Sequence, residues 1–144
     1  MSTQTEQNKA IVRRNYEASD RNDLTTFSEL LAPDVAVHYP GMPSPLNREA
    51  LLQMMNMFFS AITERQHVFE DQIAEGDKVA TRVTFHGVHT GEYEGMPATG
   101  RQIVVPQIAI HRIRDGKIVE VWISEDTMGM MQQLGLIPPP QSIR

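Results

Sequence analysis

The stretch Ile103-Val104-Val105-Pro106-Gln107-Ile108-Ala109-Ile110-His111-Arg112-Ile113, followed by Arg114-Asp115-Gly116-Lys117 and then Ile118-Val119-Glu120-Val121-Trp122-Ile123-Ser124, reads as a β-hairpin. Two β-branched runs joined by Asp-Gly are a strong short-range hairpin signal, because Asp and Gly accept the positive φ of a tight turn. Alternation puts Gln107, Ala109 and His111 on one face of the first strand and Ile108, Ile110 and Arg112 on the other. On the second strand it groups Val119, Val121 and Ile123 against Ile118, Glu120 and Trp122. Both faces are largely apolar, so the hairpin is expected in mid-sheet, with helices under one face and a partner subunit over the other.

Upstream, strands are expected over 66–75 and 78–89, joined at Glu75-Gly76-Asp77. A helix with Asn47 as its N-cap is expected over Arg48–Ala61. Its Leu51, Leu52, Met54, Met55, Phe58 and Phe59 give so broad an apolar surface that most of its girth should be buried. A short strand is expected over Asp34–Tyr39, ahead of a loop broken by Pro40, Gly41, Pro43 and Pro45. Helices are expected over 6–21 and Leu24–Leu31, the second stopped by Pro33. Met128–Leu134 reads as a helix closed by Gly135, and Ser124–Asp126 as its capping region, where Glu125 and Asp126 meet the helix dipole. The order helix, helix, strand, helix, four strands argues an α+β domain, a curved antiparallel or mixed sheet wrapped around N-terminal helices to form a cone with an internal cavity. The 144 residues make one domain, with tails expected at 1–5 and 138–144.

The net charge of −5 supplies no field for a nucleic-acid backbone. Cysteine is absent, which excludes disulfides and thiolate chemistry and fits a cytoplasmic location. No apolar run approaches a membrane span, and Met1–Asn8 carries no signal-peptide core. The five histidines, His38, His67, His86, His89 and His111, form no i, i+4 helical pair, so no metal site is expected. The Gly95 to Gly100 spacing lacks the Lys-Ser/Thr of a phosphate loop, and no cofactor is expected.

The segment His89-Thr90-Gly91-Glu92-Tyr93-Glu94-Gly95-Met96-Pro97-Ala98-Thr99-Gly100, with Asp115-Gly116-Lys117-Ile118-Val119-Glu120 and Gln132-Gln133-Leu134-Gly135, resembles the SnoaL-like polyketide cyclase (ester cyclase) family. The resemblance runs from the first helix to Leu134. It implies the cone-shaped α+β fold shared with ketosteroid isomerase, limonene epoxide hydrolase and nuclear transport factor. It also implies a cofactor-free ring closure by intramolecular aldol condensation. The family's acid/base aspartate falls on Ile123 here and its histidine on Ala109, while its glutamine is matched by Gln107. Asp126 matches a further acidic position.

With the aspartate position apolar, proton transfer must come from elsewhere. His38, before the Pro-rich loop, and His86, in the alternating set Arg82, Thr84, His86, are the expected catalytic groups. The competing readings are a loop histidine and an outward strand residue. Gln107 is expected to bind a ligand carbonyl or satisfy a neighbouring backbone group, and Tyr16 to be a second donor unless its tip reaches water. Met55, Phe58, Phe59, Ala109, Val121 and Ile123 are expected to line the cavity, though methionines also serve as plain core filler. The function expected is a cyclase, isomerase or lyase acting on a hydrophobic or aromatic polyketide-like molecule, in a homodimer. The alternatives are a non-catalytic binding protein of the same fold and an interaction module of the nuclear-transport type.

Overall fold

The computed structural model describes residues 3–141. Helix α1 (Gln4–Asp20) starts earlier than the alternation suggested, because Thr3 and Glu6 form a capping box. Thr3–Thr5 therefore belong to a helix start rather than a tail, while Met1, Ser2 and Ser142–Arg144 lie outside the described residues. Helix α2 (Leu24–Glu29) is capped by Asp23 and leads directly into strand β1 (Leu31–His38). That strand is three residues longer at its start than expected and runs through Pro33. It lies at the sheet edge, where a missing N–H is tolerated.

Helix α3 (Arg48–Ala61) follows, capped by Asn47, and then strands β2 (Ile62–Glu75), β3 (Lys78–His89), β4 (Gln102–Arg114) and β5 (Lys117–Glu125), and helix α4 (Thr127–Leu134). The strands form one sheet in the order β1-β5-β4-β3-β2, antiparallel throughout except for the parallel β1–β5 pair. At the β4–β5 turn Asp115 has φ 51° and Gly116 φ 75°, the positive-φ pair that the Asp-Gly signal demands.

The register of β5 departs from simple alternation. Ile113 pairs with Ile118, but Arg112 pairs with Glu120, so Val119 is an extra residue in a β-bulge. Ile118 consequently joins Val121 in the core rather than lying opposite it. Ile118, Val121, Ile123 and Glu125 share the concave face with Gln107, Ala109 and His111. A second irregularity in β2, between Thr63 and Gln66, contains Glu64 at φ 52° and turns Arg65 inward.

Val12 and Ala18 of α1 pack with Val79, Ala109, Ile118 and Val121 beneath the sheet. Full burial of one such aliphatic side chain stabilises by about 1.5–3 kcal/mol. Helix α3 is not buried around most of its girth: only Leu51 and Ala61 are fully covered, and Met57 is 73% exposed. Met54, Met55, Met57, Phe58 and Phe59 face the pocket described next.

Candidate functional site

A pocket of about 600 Å³ opens between the concave sheet face and helices α1 and α3. Exposed Met42 and Met57 stand on its rim, and Phe85, Val105, Val121 and Ile123 of the sheet form much of its apolar wall. Met55, Phe58 and Phe59 of α3 face it as well. So do Tyr16 and Gln107, whereas Ala109 lies in the core and is not part of the lining.

Polar groups gather at two places on this wall. The first joins the end of α1 to β2. Asp20 grips His67 twice: its Oδ2 accepts from the His67 backbone N–H at 2.8 Å and its Oδ1 lies 2.6 Å from ring Nδ1. Both side chains are mostly buried, at 11% exposure for His67 and 18% for Asp20. A carboxylate accepts only, so Nδ1 carries a proton, and in the neutral imidazole the lone pair is on Nε2. An acidic residue in the last turn of a helix opposes the helix dipole, so Asp20 is held by these contacts rather than by α1. Arg65 adds a positive charge nearby. Its guanidinium lies 3.5 Å over the Phe59 ring and donates to the carbonyls of Ile62 and Ser19 and to Asn22 Oδ1. Burial pulls the Arg65 pKa down, and the charge of Asp20 opposes that shift.

The second group centres on Glu125, the last residue of β5. Oε1 accepts from the Tyr39 hydroxyl at 2.7 Å and Oε2 from Gln107 Nε2 at 2.8 Å. Gln107 thus spends one amide hydrogen on a neighbouring side chain. Burial first, then the Glu125 charge, raises the pKa of Tyr39, and the same carboxylate contributes at Tyr93 and Tyr16. The capping role expected for Glu125 and Asp126 falls to Asp126 alone, whose Oδ1 accepts from Gly129 N–H at 2.9 Å.

Tyr16 stands beside the first group, with His111 next to it. The Tyr16 ring is 4.8 Å from His67 and 5.7 Å from His111, centroid to centroid. His111 is buried with no partner for Nδ1, and burial lowers its pKa to about 4. It faces the pocket as a neutral imidazole.

The structure does not bring His38 and His86 to this site. His38 lies on the outer face, with Nε2 2.7 Å from Glu120 Oε2 and its ring stacked on Trp122 at 5.5 Å. His86 alternates with Phe85, which lines the pocket, and so points to the other side of β3. Sequence reasoning missed His67, Asp20 and Glu125. Their only local signals are an acid at a helix C-terminus and a carboxylate two residues beyond Ile123 on the same strand.

The loop after β3 explains the segment that carried the resemblance. Gly91 sits so close to α3 that a Cβ would stand 2.2 Å from the Ser60 carbonyl oxygen. The Thr99 hydroxyl lies 2.9 Å from His89 Nδ1, and Gly100 N–H donates to the His89 carbonyl. The loop thereby carries Tyr93 and Glu94 to the pocket.

The model of the SnoaL-like polyketide cyclases matches residues 9–134. The chain belongs to that family. Among its relatives, the aklanonic acid methyl ester cyclase DnrD of Streptomyces peucetius is 35% identical over 141 residues, covering 94% of this chain and 92% of the relative. The nogalonic acid methyl ester cyclase of Streptomyces nogalater is 32% identical over 88 residues, covering 60% of this chain and 66% of the relative. Wild-type IdmH of Streptomyces antibioticus superposes with a TM-score of 0.82 at 34% identity, over 90% of this chain and 99% of its own. AclR of Streptomyces galilaeus gives 0.87 at 25% identity, over 96% of this chain and 87% of its own. Among the described residues no group of three His, Asp or Glu side chains is arranged to hold a metal ion, and no helix is long and apolar enough to cross a membrane.

Proposed function

We propose that this chain closes a ring in a hydrophobic, polyketide-like substrate by intramolecular aldol chemistry, without a cofactor, and that His67 moves the proton. The Asp20–His67 pair on the wall of a largely apolar pocket carries this reading. His67 Nε2 takes a proton from a carbon flanked by carbonyl groups. The resulting carbanion attacks a ketone carbon of the same molecule, forming one C–C bond, and the new alkoxide takes up a proton as the imidazolium gives one back. Substrate and product are isomers, so no oxidant or co-reactant is required. Asp20 fixes the tautomer and stabilises the imidazolium; an apolar surround strengthens that pairing. The kinship with methyl ester cyclases supports an ester-bearing polyketide as the substrate.

Turnover of aklanonic acid methyl ester is the test. Removing a positioned general base costs about 10²- to 10⁴-fold in rate. We expect His67→Ala to lose that much kcat with KM nearly unchanged, and Asp20→Asn to fall between it and the parent. The double variant His38→Ala/His86→Ala is expected to keep full activity, since both rings stand outside the pocket. Full turnover by His67→Ala would refute the assignment. A non-catalytic binding protein is the second reading, favoured by the apolar Ala109–Ile123 pair at the middle of the hairpin. Tight binding of the ester with no product from the parent chain would establish it instead.

A further inference from the structure

Proton transfer at His67 leaves the second polar group without a task. Glu125 lines the pocket and is held from both sides, by Tyr39 on β1's exit and by Gln107 on β4. The clamp fixes the carboxylate without exhausting it. Two incoming hydrogens occupy two of about four acceptor positions on the oxygens. Glu125 and His67 belong to β5 and β2, three strands apart in the sheet order, about 14 Å along the curved surface. Phe85, which pairs with His67, and Val105, which pairs with Phe85, lie between them on the pocket wall. A molecule reacting at His67 and filling the pocket therefore presents its far end to a fixed negative charge.

We infer that Glu125 is a specificity-determining residue that reads a free hydroxyl, phenolic or enolic, at the end of the substrate remote from His67, and that it turns away substrates ending there in a carboxylate. This rests on the reading that the pocket holds a polyketide-like molecule. A hydroxyl donates to the free lone pairs of the clamped carboxylate, and hydrogen bonds to a charged acceptor are shorter and stronger than neutral ones. An ether at the same place offers no hydrogen. A carboxylate meets like charge in a poorly solvated wall, where repulsion is weakly screened. Tyr39 and Gln107 act as positioning residues, because each donates to Glu125 and so sets where its remaining lone pairs point.

Three naphthalenes that differ only in that end group test the inference: 2-naphthol, 2-methoxynaphthalene and 2-naphthoate, titrated calorimetrically at pH 7. For the parent chain 2-naphthol is expected to bind about tenfold tighter than the ether, with 2-naphthoate weakest. Glu125→Gln should lose most of the naphthol preference and gain affinity for 2-naphthoate, and Tyr39→Phe should weaken the preference partly. Equal affinities in the parent, naphthoate binding best, or an unchanged ranking in Glu125→Gln would each overturn the inference. Binding by none of the three overturns it together with the polyketide reading. His67→Gln separates the two claims, since it should abolish turnover while leaving the ranking intact. A flat ranking alongside lost turnover sinks only the role of Glu125, and a correct ranking alongside full turnover sinks only the role of His67.

Discussion

Burial makes His111 an imidazole that refuses a proton, and that refusal is measurable as stability. In the unfolded chain its pKa is near 6.5, and in the folded protein it is lowered to about 4 by desolvation. Above pH 6.5 both forms are neutral and the residue contributes no pH dependence. As pH falls from 6.5 to 4 the unfolded chain binds the proton and the folded one does not, so stability drops by about 3 kcal/mol across that window. Urea midpoints at pH 7 and pH 4.5 should differ by clearly less in His111→Asn than in the parent; an equal difference would show that other groups govern the acid limb. Little of this was legible beforehand. His111 sits in the same alternating set as Gln107, but alternation does not say that no neighbour satisfies its ring. His67 looked like any strand histidine because its partner, Asp20, is 47 residues away. Gln107 was expected to be a buried amide serving a ligand carbonyl or a backbone group; it is half-buried, and its amide donates to the Glu125 carboxylate.

At the level of elements, one inserted residue decides which side of β5 carries chemistry. With unbroken pairing from Arg114–Lys117, the residue opposite Gln107 would be Ser124. The bulge at Val119 makes it Glu125 and sets that carboxylate on the concave face. A bulge carries no residue signature in a run of β-branched side chains, which is why the shared face of Gln107, Ala109, His111, Val121 and Ile123 was readable and the inward place of Ile118 was not. Deleting Val119 would turn residues 120–125 over, and side chains such as Trp122 would be driven inward. The strand-to-helix loop offers a cleaner experiment. A methyl group at Gly91 would meet the Ser60 carbonyl at 2.2 Å, a backbone atom that cannot swing aside. Gly91→Ala is expected to destabilise by about 1–3 kcal/mol, read as a lowered denaturant midpoint with an unchanged slope. Unchanged stability would mean that the loop relaxes away from α3 freely. The breadth of the apolar surface on α3 was also visible in sequence, but its meaning was misread. Met55, Phe58 and Phe59 face the pocket, and two of them also pack on its wall, Phe58 on Phe85 and Tyr93 and Phe59 under Arg65, while the helix stays open at Met57.

On the scale of the whole molecule, the convex face of the sheet carries Val104, Ile108 and Ile110 at 44%, 52% and 39% exposure. We propose that a second copy of the chain covers this strip, as the two-sided apolar hairpin led us to expect. Sedimentation should give twice the chain mass of 16.3 kDa, and Ile108→Glu/Ile110→Glu should return it to a single chain mass with the circular dichroism unchanged. A parent protein that sediments as a single chain would exclude the dimer. The fold class itself was plain from the order of helices and strands, since element type and sequence are set locally by periodicity and turn chemistry.

The parallel pairing of β1 with β5 joins Ala36 to Glu120 and Val37 to Val121. A growing polypeptide therefore carries β1 with an empty edge until residues 117–125 have been made. The same delay applies to the pocket: Asp20 comes from the first helix, Tyr39 from the exit of β1, His67 from β2, and Gln107 and Glu125 from the final hairpin. A stop before the last strand leaves Asp20, Tyr39, His67 and Gln107 without Glu125 and without the strand that pairs with β1.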